Sequence, residues 1–262
     1  MSPGAAVDAE LVSSAFDLAE RAGQVAMRWF SPRSLDSRAK SDGSPVTEAD
    51  RAAEEFLRLE LARRYPDDAV LGEEYGSVEG SSGRRWVIDP IDGTRSFVRG
   101  VPLFTTLLAM IDEAGPAVGV ANVPPLEETV AAGRGLGAEH TYAGEVRVAR
   151  VSTVGRLDES YLVTSGIEYL PERGRRLLLE PGPLVRTWGD GYGYVLLATG
   201  RAEIMLDAGL ALWDVAPMLV IVAEAGGSIT DYDGTPFPQA GDVVSTNGHV
   251  HDAVVGLLGR HT

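Results

Sequence analysis

The sequence contains no cysteine among its 262 residues. Disulfide bonds and thiolate metal ligands are therefore excluded. Histidine is also scarce, with four residues, and none of them lies near the acidic motifs described below. A Zn²⁺ or Cu²⁺ site is consequently disfavoured, because these ions favour nitrogen and sulfur ligands.

Long apolar runs and basic charge are also limited. The longest apolar run, residues 101–111, is too short to span a bilayer, and the first ten residues lack the basic and apolar regions of a secretion signal. We therefore expect a cytoplasmic protein without membrane contact. Twenty-three basic against 38 acidic residues give a net charge of −15, which argues against nucleic-acid binding. An acidic protein that acts on an anion would need bound cations.

Hydrophobic periodicity divides the chain into two halves. Apolar residues at helical spacing predict helices over 7–30 and from Thr47 to about Arg64. The second helix begins with Thr-Glu-Ala-Asp, which is close to a capping box but has Asp in place of Glu or Gln. Between 86 and 151, short β-rich runs separated by turn residues predict a largely antiparallel sheet.

After residue 160, strands and helices alternate, with helices expected at about 189–199, 212–225 and 249–258. No repeat or linker separates the two patterns. We therefore expect one unit spanning 1–262, composed of an α+β half (1–151) and an α/β half (152–262).

Four acidic motifs stand out. Asp89 and Asp92 flank a proline and an isoleucine at the end of an apolar run and precede Gly-Thr. Glu73, Asp50 and Asp214 belong to the other three motifs. Taken singly, Glu73 fits a surface turn, and Asp50 and Asp214 fit helix caps. Together they predict a hard-cation site, because Mg²⁺ takes oxygen ligands, and two such ions at roughly 3.5–4 Å can clamp the attacking and leaving oxygens of a phosphoryl transfer.

Three motifs carry a resemblance to a known family: GEEYG, WVIDPIDGTRSFVRGVP and LWDVAPMLVIVAEAGG, in that order. They resemble the inositol monophosphatase superfamily of Mg²⁺-dependent, lithium-sensitive phosphatases, and the resemblance covers nearly the whole chain. It implies a layered αβαβα sandwich, of mixed α+β and α/β character, with adjacent metal sites between the halves. It also implies a homodimer that hydrolyses a small phosphate monoester.

The resemblance assigns roles to individual residues. Two or three Mg²⁺ ions, with Mn²⁺ as an alternative, would be bound by four carboxylates and one backbone carbonyl. Asp50 and Thr94, together with Glu73, would position and deprotonate the attacking water, and Lys40 matches a basic residue near the more weakly held metal. The implied metal ligands are Glu73, Asp89, Ile91 (through its carbonyl), Asp92 and Asp214.

The segment 186–214 carries the sequence features that indicate the substrate. Its GDGYGY motif resembles the histidinol-phosphate phosphatase branch of the superfamily, and an acidic Asp190 suits an amine or imidazolium, although Asp190 also fits a helix cap. Asp207 departs from the Glu usual in the family. Arg95 fits either the pocket entrance or a solvated position. The expected substrate-binding residues are Asp92, Gly93, Thr94, Arg95, Gly189, Asp190, Asp207 and Asp214.

These features favour hydrolysis of histidinol phosphate to histidinol, a step of histidine biosynthesis. The alternative is inositol 1-phosphate or a related cyclitol or sugar phosphate. A third hypothesis is a non-catalytic binding or regulatory protein, but such a protein has no reason to keep Asp50 and Thr94 with every metal carboxylate.

Overall fold

The computed structural model describes residues 4–30, 38–39, 45–236 and 238–259. Across these ranges the helices are α1 (Ala9–Met27), α2 (Glu48–Arg64), α3 (Thr94–Val98), α4 (Glu172–Leu177), α5 (Asp190–Ala198), α6 (Leu212–Glu224) and α7 (His251–Leu258). The strands are β1 (Arg38–Ala39), β2 (Pro45–Val46), β3 (Ala69–Gly72), β4 (Gly76–Val78), β5 (Arg85–Asp92), β6 (Thr105–Asp112), β7 (Gly115–Val123), β8 (Glu128–Gly133), β9 (Gly137–Tyr142), β10 (Glu145–Val148), β11 (Tyr161–Val163), β12 (Leu184–Arg186), β13 (Ile204–Leu210), β14 (Ser228–Asp231) and β15 (Gly241–Thr246).

The amino-terminal half forms an eight-stranded sheet in the order β10-β9-β8-β7-β6-β5-β3-β4. Its pairs are antiparallel except for β3 and β5, which run parallel. The predicted antiparallel sheet is therefore present, but it begins before residue 86. Strands β3 and β4 were missed because runs of four and three residues are too short to show a period.

The carboxyl-terminal half forms a five-stranded sheet in the order β12-β11-β13-β15-β14. Strands β12, β11 and β13 are parallel, and β15 runs antiparallel to β13 and β14. This mixed sheet agrees with the predicted alternation of strands and helices. The short helices α3 and α4 had no counterpart in the prediction.

The layers follow from the alternation of apolar side chains along each strand. On β6, Leu108 packs against the layer of α1 and α2, whereas its neighbour Leu107 faces the layer of α5 and α6. Met205 of β13 also packs toward α5 and α6, and Leu206 packs toward α4 and α7. The order is thus helices, large sheet, helices, small sheet, helices, which is the expected αβαβα sandwich.

Helix α2 begins with the predicted capping box. Thr47 Oγ1 accepts hydrogen bonds from the backbone N–H groups of Ala49 (3.1 Å) and Asp50 (3.4 Å). In return, Asp50 Oδ2 accepts from the Thr47 N–H at 2.8 Å. Asp at the third helical position therefore completes the box although Glu and Gln are more usual there.

Among the helices of the described ranges, none combines the length and apolarity needed to cross a membrane.

Helix α6 approaches the large sheet closely at Gly119. A Cβ on Gly119 would overlap the backbone carbonyl of Pro217. We expect Gly119→Ala to lower the free energy of unfolding by about 1–3 kcal/mol, because helix and strand must move apart. Gly256→Ala is the matched control: Gly256 lies in α7 with nothing near its Cβ position, so alanine should stabilise by about 0.5–1 kcal/mol. Urea unfolding measures both, and equal effects would contradict the close packing at Gly119.

Candidate active site

A β-bulge at the end of β5 brings Asp89 and Asp92 to the same face. Residues three apart on a regular strand point to opposite faces. Here Asp89 pairs with Leu107 and Asp92 pairs with Thr105, so β5 carries one more residue than β6 between these pairs. Because Thr105 and Leu107 share one face of β6, their partners share the same face of β5. Both carboxylates consequently point between the two sheets.

The third carboxylate comes from the other half of the chain. Asp214 lies in the first turn of α6, and its Oδ2 accepts a hydrogen bond from the Ala211 N–H at 2.7 Å. One oxygen from each of Asp89, Asp92 and Asp214 lies within 4.8 Å of the others. Asp214 thus contributes to the cap of its helix, as the interpretation of the single motif expected, and it also lies in the acidic cluster.

Glu73 approaches the cluster from the turn that follows β3. Its backbone N–H donates to the carbonyl of Ile88 at 3.2 Å, which fixes the turn beside β5. Its carboxylate is close enough to raise the pKa of Asp89. Glu73 therefore belongs to the same group of carboxylates as Asp89, Asp92 and Asp214.

The cluster is electrostatically unfavourable by itself. Burial raises the pKa of Asp89 well above its usual range, and repulsion from Glu73, Asp92 and Asp214 raises it further. Burial and repulsion from Asp190 and Asp214 likewise raise the pKa of Asp92. The pKa of Asp214 rises to about 6, again mainly through burial.

Basic side chains do not relieve this repulsion. Within the part of the chain that the structure describes, no Lys or Arg forms an ion pair with Asp89, Asp92 or Asp214. Oxygen donors held this close fit a hard divalent cation, which would keep them ionised.

Asp50 and Thr94 form a second element of the site. Asp50 is fully buried, and its pKa is raised mainly by that burial. Asp50 Oδ2 accepts a hydrogen bond in the cap of α2, whereas Asp50 Oδ1 lies 3.4 Å from the Thr94 hydroxyl. That hydroxyl is also 2.9 Å from the carbonyl oxygen of Ile91. Asp50 therefore caps its helix with one oxygen and faces the site with the other.

A cleft of about 300 Å³ opens from Asp92 and Asp214 along the start of α3. Seven of the expected residues line it, and so do six that the sequence reasoning missed. The expected ones are Asp92, Gly93, Thr94, Arg95, Asp190, Asp207 and Asp214; the additional ones are Ser96, Ser165, Glu168, Tyr169, Ala208 and Leu210.

Ser165 is the most informative of the missed residues. Its hydroxyl donates to Asp207 Oδ2 at 2.9 Å and accepts from the Asp190 N–H at 2.8 Å. It follows β11, whose neighbours β12 and β13 run parallel to it. Ligand sites favour the carboxyl ends of parallel strands, so the position of Ser165 directly after a strand was the available signal.

Asp190 adopts a left-handed backbone conformation with φ = 50°. It is the first residue of α5, and the N–H groups of Asp190 and Gly191 donate to Ser165 and Asp92 and not to the Asp190 carboxylate, so the capping role considered for Asp190 is wrong. Its Oδ2 would lie 3.0 Å from a Cβ on Gly93, which puts the carboxylate directly beside the turn that begins α3. Burial raises the pKa of Asp190, and the nearby Arg95 guanidinium opposes that rise.

The three remaining expected residues, Arg95, Gly189 and Lys40, differ in their positions. Arg95 lines the cleft while staying exposed, with its guanidinium 5.5 Å from the centre of the Tyr169 ring. Gly189 is buried, and a side chain there would overlap the backbone of Ser165; it belongs to the packing beneath the cleft and not to its lining. Lys40 lies outside the described residues.

A sequence model of the inositol monophosphatase family matches residues 8–261. The chain belongs to this family. It is similar to a histidinol-phosphatase from Chlorobaculum parvum, with 40% identity over 94% of this chain and 95% of the relative. It is also similar to a histidinol-phosphatase from Mycobacterium tuberculosis, with 39% identity over 93% of this chain and 96% of that protein.

A solved IMPase structure from Thermotoga maritima has the same fold, with a TM-score of 0.83, 30% identity and coverage of 95% of this chain and 96% of that chain. These similarities confirm the expected fold and the expectation of a phosphoric monoester hydrolase of this family.

The raised pKa of Asp207 predicts a pH-dependent stability. Burial, followed by repulsion from Asp190, raises this pKa to about 8. A carboxyl whose folded pKa exceeds its unfolded value stabilises fully at low pH and loses that contribution as pH rises through the folded pKa. The quantity to compare is the free energy of unfolding of the wild type minus that of Asp207→Asn, measured in the presence of a chelator. This difference should fall between pH 5 and 9, with a slope of at most about 1.4 kcal/mol per pH unit.

Asp112→Asn is the control for this measurement. Hydrogen bonds from Arg134 lower the pKa of Asp112, so its contribution is already complete above pH 5 and the difference should stay level. Denaturant titrations at five pH values measure both differences. A level difference for Asp207 would show that its carboxyl titrates normally.

Proposed function

We propose that this phosphatase hydrolyses histidinol phosphate to histidinol and inorganic phosphate. The observation that carries the proposal is the charge of the cleft beyond the metal cluster. Asp190, Asp207 and Glu168 line it, with Arg95 as the basic lining residue. A substrate with an ammonium or imidazolium group would compensate these carboxylates, whereas the hydroxyls of a cyclitol would not. The histidinol-phosphatase names of the relatives at 39–40% identity support the same substrate.

The metal cluster would hold two or three Mg²⁺ ions, with Mn²⁺ as a substitute. Glu73, Asp89, Asp92 and Asp214 would supply carboxylate oxygens, and Ile91 would supply its carbonyl. Bound ions would stabilise negative charge on the phosphoryl and leaving oxygens. They would also offset the charge of the acidic protein toward an anionic substrate.

Asp50 and Thr94 would move the proton of the attacking water. If the Thr94 hydroxyl donates to Asp50 Oδ1 instead of to the Ile91 carbonyl, its proton faces the base while its oxygen can accept a hydrogen bond from water. Water would then give its proton to Thr94 Oγ1 as Thr94 gives its own to Asp50. Burial favours the protonated form of Asp50, which makes it a stronger base, and the nearby charge of Glu73 acts in the same direction.

The phosphate and the amine would bind at opposite sides of the Gly93 turn. Gly93 and Thr94 begin α3 and would receive the phosphate oxygens. The amine would meet Asp190, whose backbone amide is fixed by Ser165 and whose left-handed conformation is uncommon for residues other than glycine. Asp207 would extend the acidic surface behind it.

The two halves, 1–151 and 152–262, would work as one phosphatase unit, because Asp92 of the first half and Asp214 of the second belong to one cluster. We further propose a homodimer in the cytoplasm, as the family resemblance implies. Light scattering coupled to size-exclusion chromatography tests the dimer.

A substrate panel tests the function directly. Phosphate release should be measured with Mg²⁺ on histidinol phosphate, inositol 1-phosphate, fructose 1,6-bisphosphate and glycerol 2-phosphate. We expect the highest kcat/KM for histidinol phosphate, and none of this activity in excess EDTA. Higher kcat/KM for inositol 1-phosphate would instead support the alternative substrate, and no release from any member would support a non-catalytic role.

Asp89→Asn and Thr94→Ala should separate metal binding from proton transfer. Asp89→Asn removes a charge from the cluster and should weaken Mg²⁺ binding and lower turnover by several orders of magnitude. Thr94→Ala should leave Mg²⁺ binding nearly unchanged and lower kcat by about 10²–10⁴-fold, the usual contribution of general acid–base groups. Calorimetry and steady-state kinetics measure the two properties. Equal losses of Mg²⁺ affinity in both variants would refute this division of roles.

Asp190→Asn should impair one class of substrate selectively. Asparagine tolerates the left-handed backbone and keeps the shape of Asp190, so only the charge changes. A charge-assisted contact contributes roughly 1.5–3 kcal/mol, so kcat/KM for histidinol phosphate should fall by about ten- to a hundredfold. Glycerol 2-phosphate is the internal control and should be nearly unaffected. Equal losses on both substrates would indicate damage to the shared phosphate site and would contradict amine recognition.

A further inference from the structure

Glu54 is a fully buried carboxylate outside the cleft lining. It lies on α2 one turn after Asp50. Its Oε2 accepts a hydrogen bond from the Glu74 N–H at 2.8 Å, and its Oε1 accepts one from the Tyr75 N–H at 3.1 Å. Both donors belong to the backbone of the turn that carries Glu73. The carboxylate of Glu54 therefore holds this turn through its main chain.

Arg58 completes the attachment from the next turn of α2. Its guanidinium pairs with Glu54 Oε1 at 2.8 Å and also donates to the backbone carbonyl of Gly76. The same guanidinium lies 5.9 Å from the centre of the Tyr75 ring. Glu54 thus binds the N–H groups of the turn, while Arg58 binds a carbonyl at its far end.

Gly72 shows how closely β3 approaches this pair. A Cβ at position 72 would overlap the carboxylate of Glu54 and would lie 2.9 Å from Arg58 Nη2. Only a residue without a side chain leaves room for the carboxylate between α2 and the turn. The chain therefore provides both the buried charge and the space for it directly before Glu73.

We propose that Glu54 and Arg58 are positioning residues that fix Glu73 and thereby set the affinity of the cation site. The inference rests on the proposed role of Glu73 as a metal ligand. A buried ion pair is by itself weak evidence for stability, since apolar residues often replace one without loss. Here, however, the pair is directed at three backbone groups of one turn. Partners that orient metal ligands commonly affect metal affinity by about 10–100-fold.

The arrangement also links two parts of the site through one helix. Asp50 and Glu54 are four residues apart and occupy the same face of α2. One faces Thr94 and the other holds the turn of Glu73. The proposed general base and the residue that holds the turn of Glu73 are therefore one helical turn apart on α2.

Glu54→Gln tests the proposal. Glutamine has one acceptor oxygen, so its NH₂ group must face either an N–H of the turn or the Arg58 guanidinium. We expect Mn²⁺ binding without substrate, followed by electron paramagnetic resonance, to weaken by about tenfold or more. The metal concentration for half-maximal activity should rise by the same factor, while kcat at saturating metal stays within about threefold of the wild type.

Asp68→Asn is the matched control. Asp68 is also a buried carboxylate, and it accepts from Arg84 Nε at 3.0 Å and from Trp86 Nε1 at 2.9 Å. It lies at the opposite ends of β3 and β5 from the metal cluster. Loss of its charge should lower the unfolding temperature as Glu54→Gln does but leave Mn²⁺ affinity unchanged.

Gly72→Ala disturbs the Glu54 contact from the other side and should weaken Mn²⁺ binding like Glu54→Gln.

The outcomes separate the positioning role from the metal site itself. If Glu73→Gln weakens Mn²⁺ binding but Glu54→Gln and Gly72→Ala do not, the positioning role is wrong and the proposed metal site stands. If Asp68→Asn weakens binding equally, the effect is general destabilisation and the positioning role is again wrong. If the wild type does not bind Mn²⁺, the proposed metal site fails and the inference fails with it.

Discussion

Repulsion between carboxylates that the fold forces together is the constraint on which the site depends. Asp89, Asp92 and Asp214 bring oxygens within 4.8 Å of one another in a setting that raises the pKa of each. Three separate devices produce this proximity: the bulge in β5, the first turn of α6 and the turn after β3 that adds Glu73. Holding these carboxylates together lowers the stability of the folded chain unless a cation compensates their charge. Isolated buried charges of this kind are otherwise avoided.

The same constraint makes the two ends of the cleft electrostatically different. At one end, cations would make the cluster attractive to phosphate. At the other end, Asp190 and Asp207 lie with Ser165 between them, and a bound cationic group would favour their ionised forms. A substrate with an anionic and a cationic end would be oriented by charge before close contacts form. Such a polarity would favour an amine-bearing phosphate over a neutral polyol phosphate.

Much of this site was readable from the sequence because its chemistry is concentrated in short motifs. The spacing of Asp89 and Asp92, the proline between them and the Gly-Thr that follows are local features, and so is the capping box at Thr47. The layered fold followed from the family resemblance, and periodicity predicted only the helices, strands and two halves that agree with it. Glu168 and Tyr169 were missed because nothing local marks them, and Ser165 was missed because its position after β11 becomes informative only once the parallel pairing of β11 is known.

Local patterns also gave one wrong interpretation. Asp190 stands at the start of a helix and therefore fits the composition of a cap, but its backbone adopts the left-handed region and its carboxylate lies beside Gly93. Propensity describes the backbone positions that aspartate prefers on average. It does not indicate a left-handed backbone that surrounding contacts hold in place.

The left-handed backbone at Asp190 also limits how this enzyme could diverge. Glycine, asparagine and aspartate are the residues that adopt φ near 50° at low cost. Neutral drift at this position is therefore confined to glycine, which has no side chain, and to asparagine and aspartate, which differ in charge but hardly in bulk. A single codon change from aspartate to asparagine could therefore remove the charge at this position, with the helix and the turn at Gly93 left intact. Acquiring a large apolar substrate group would require remodelling the start of α5 first.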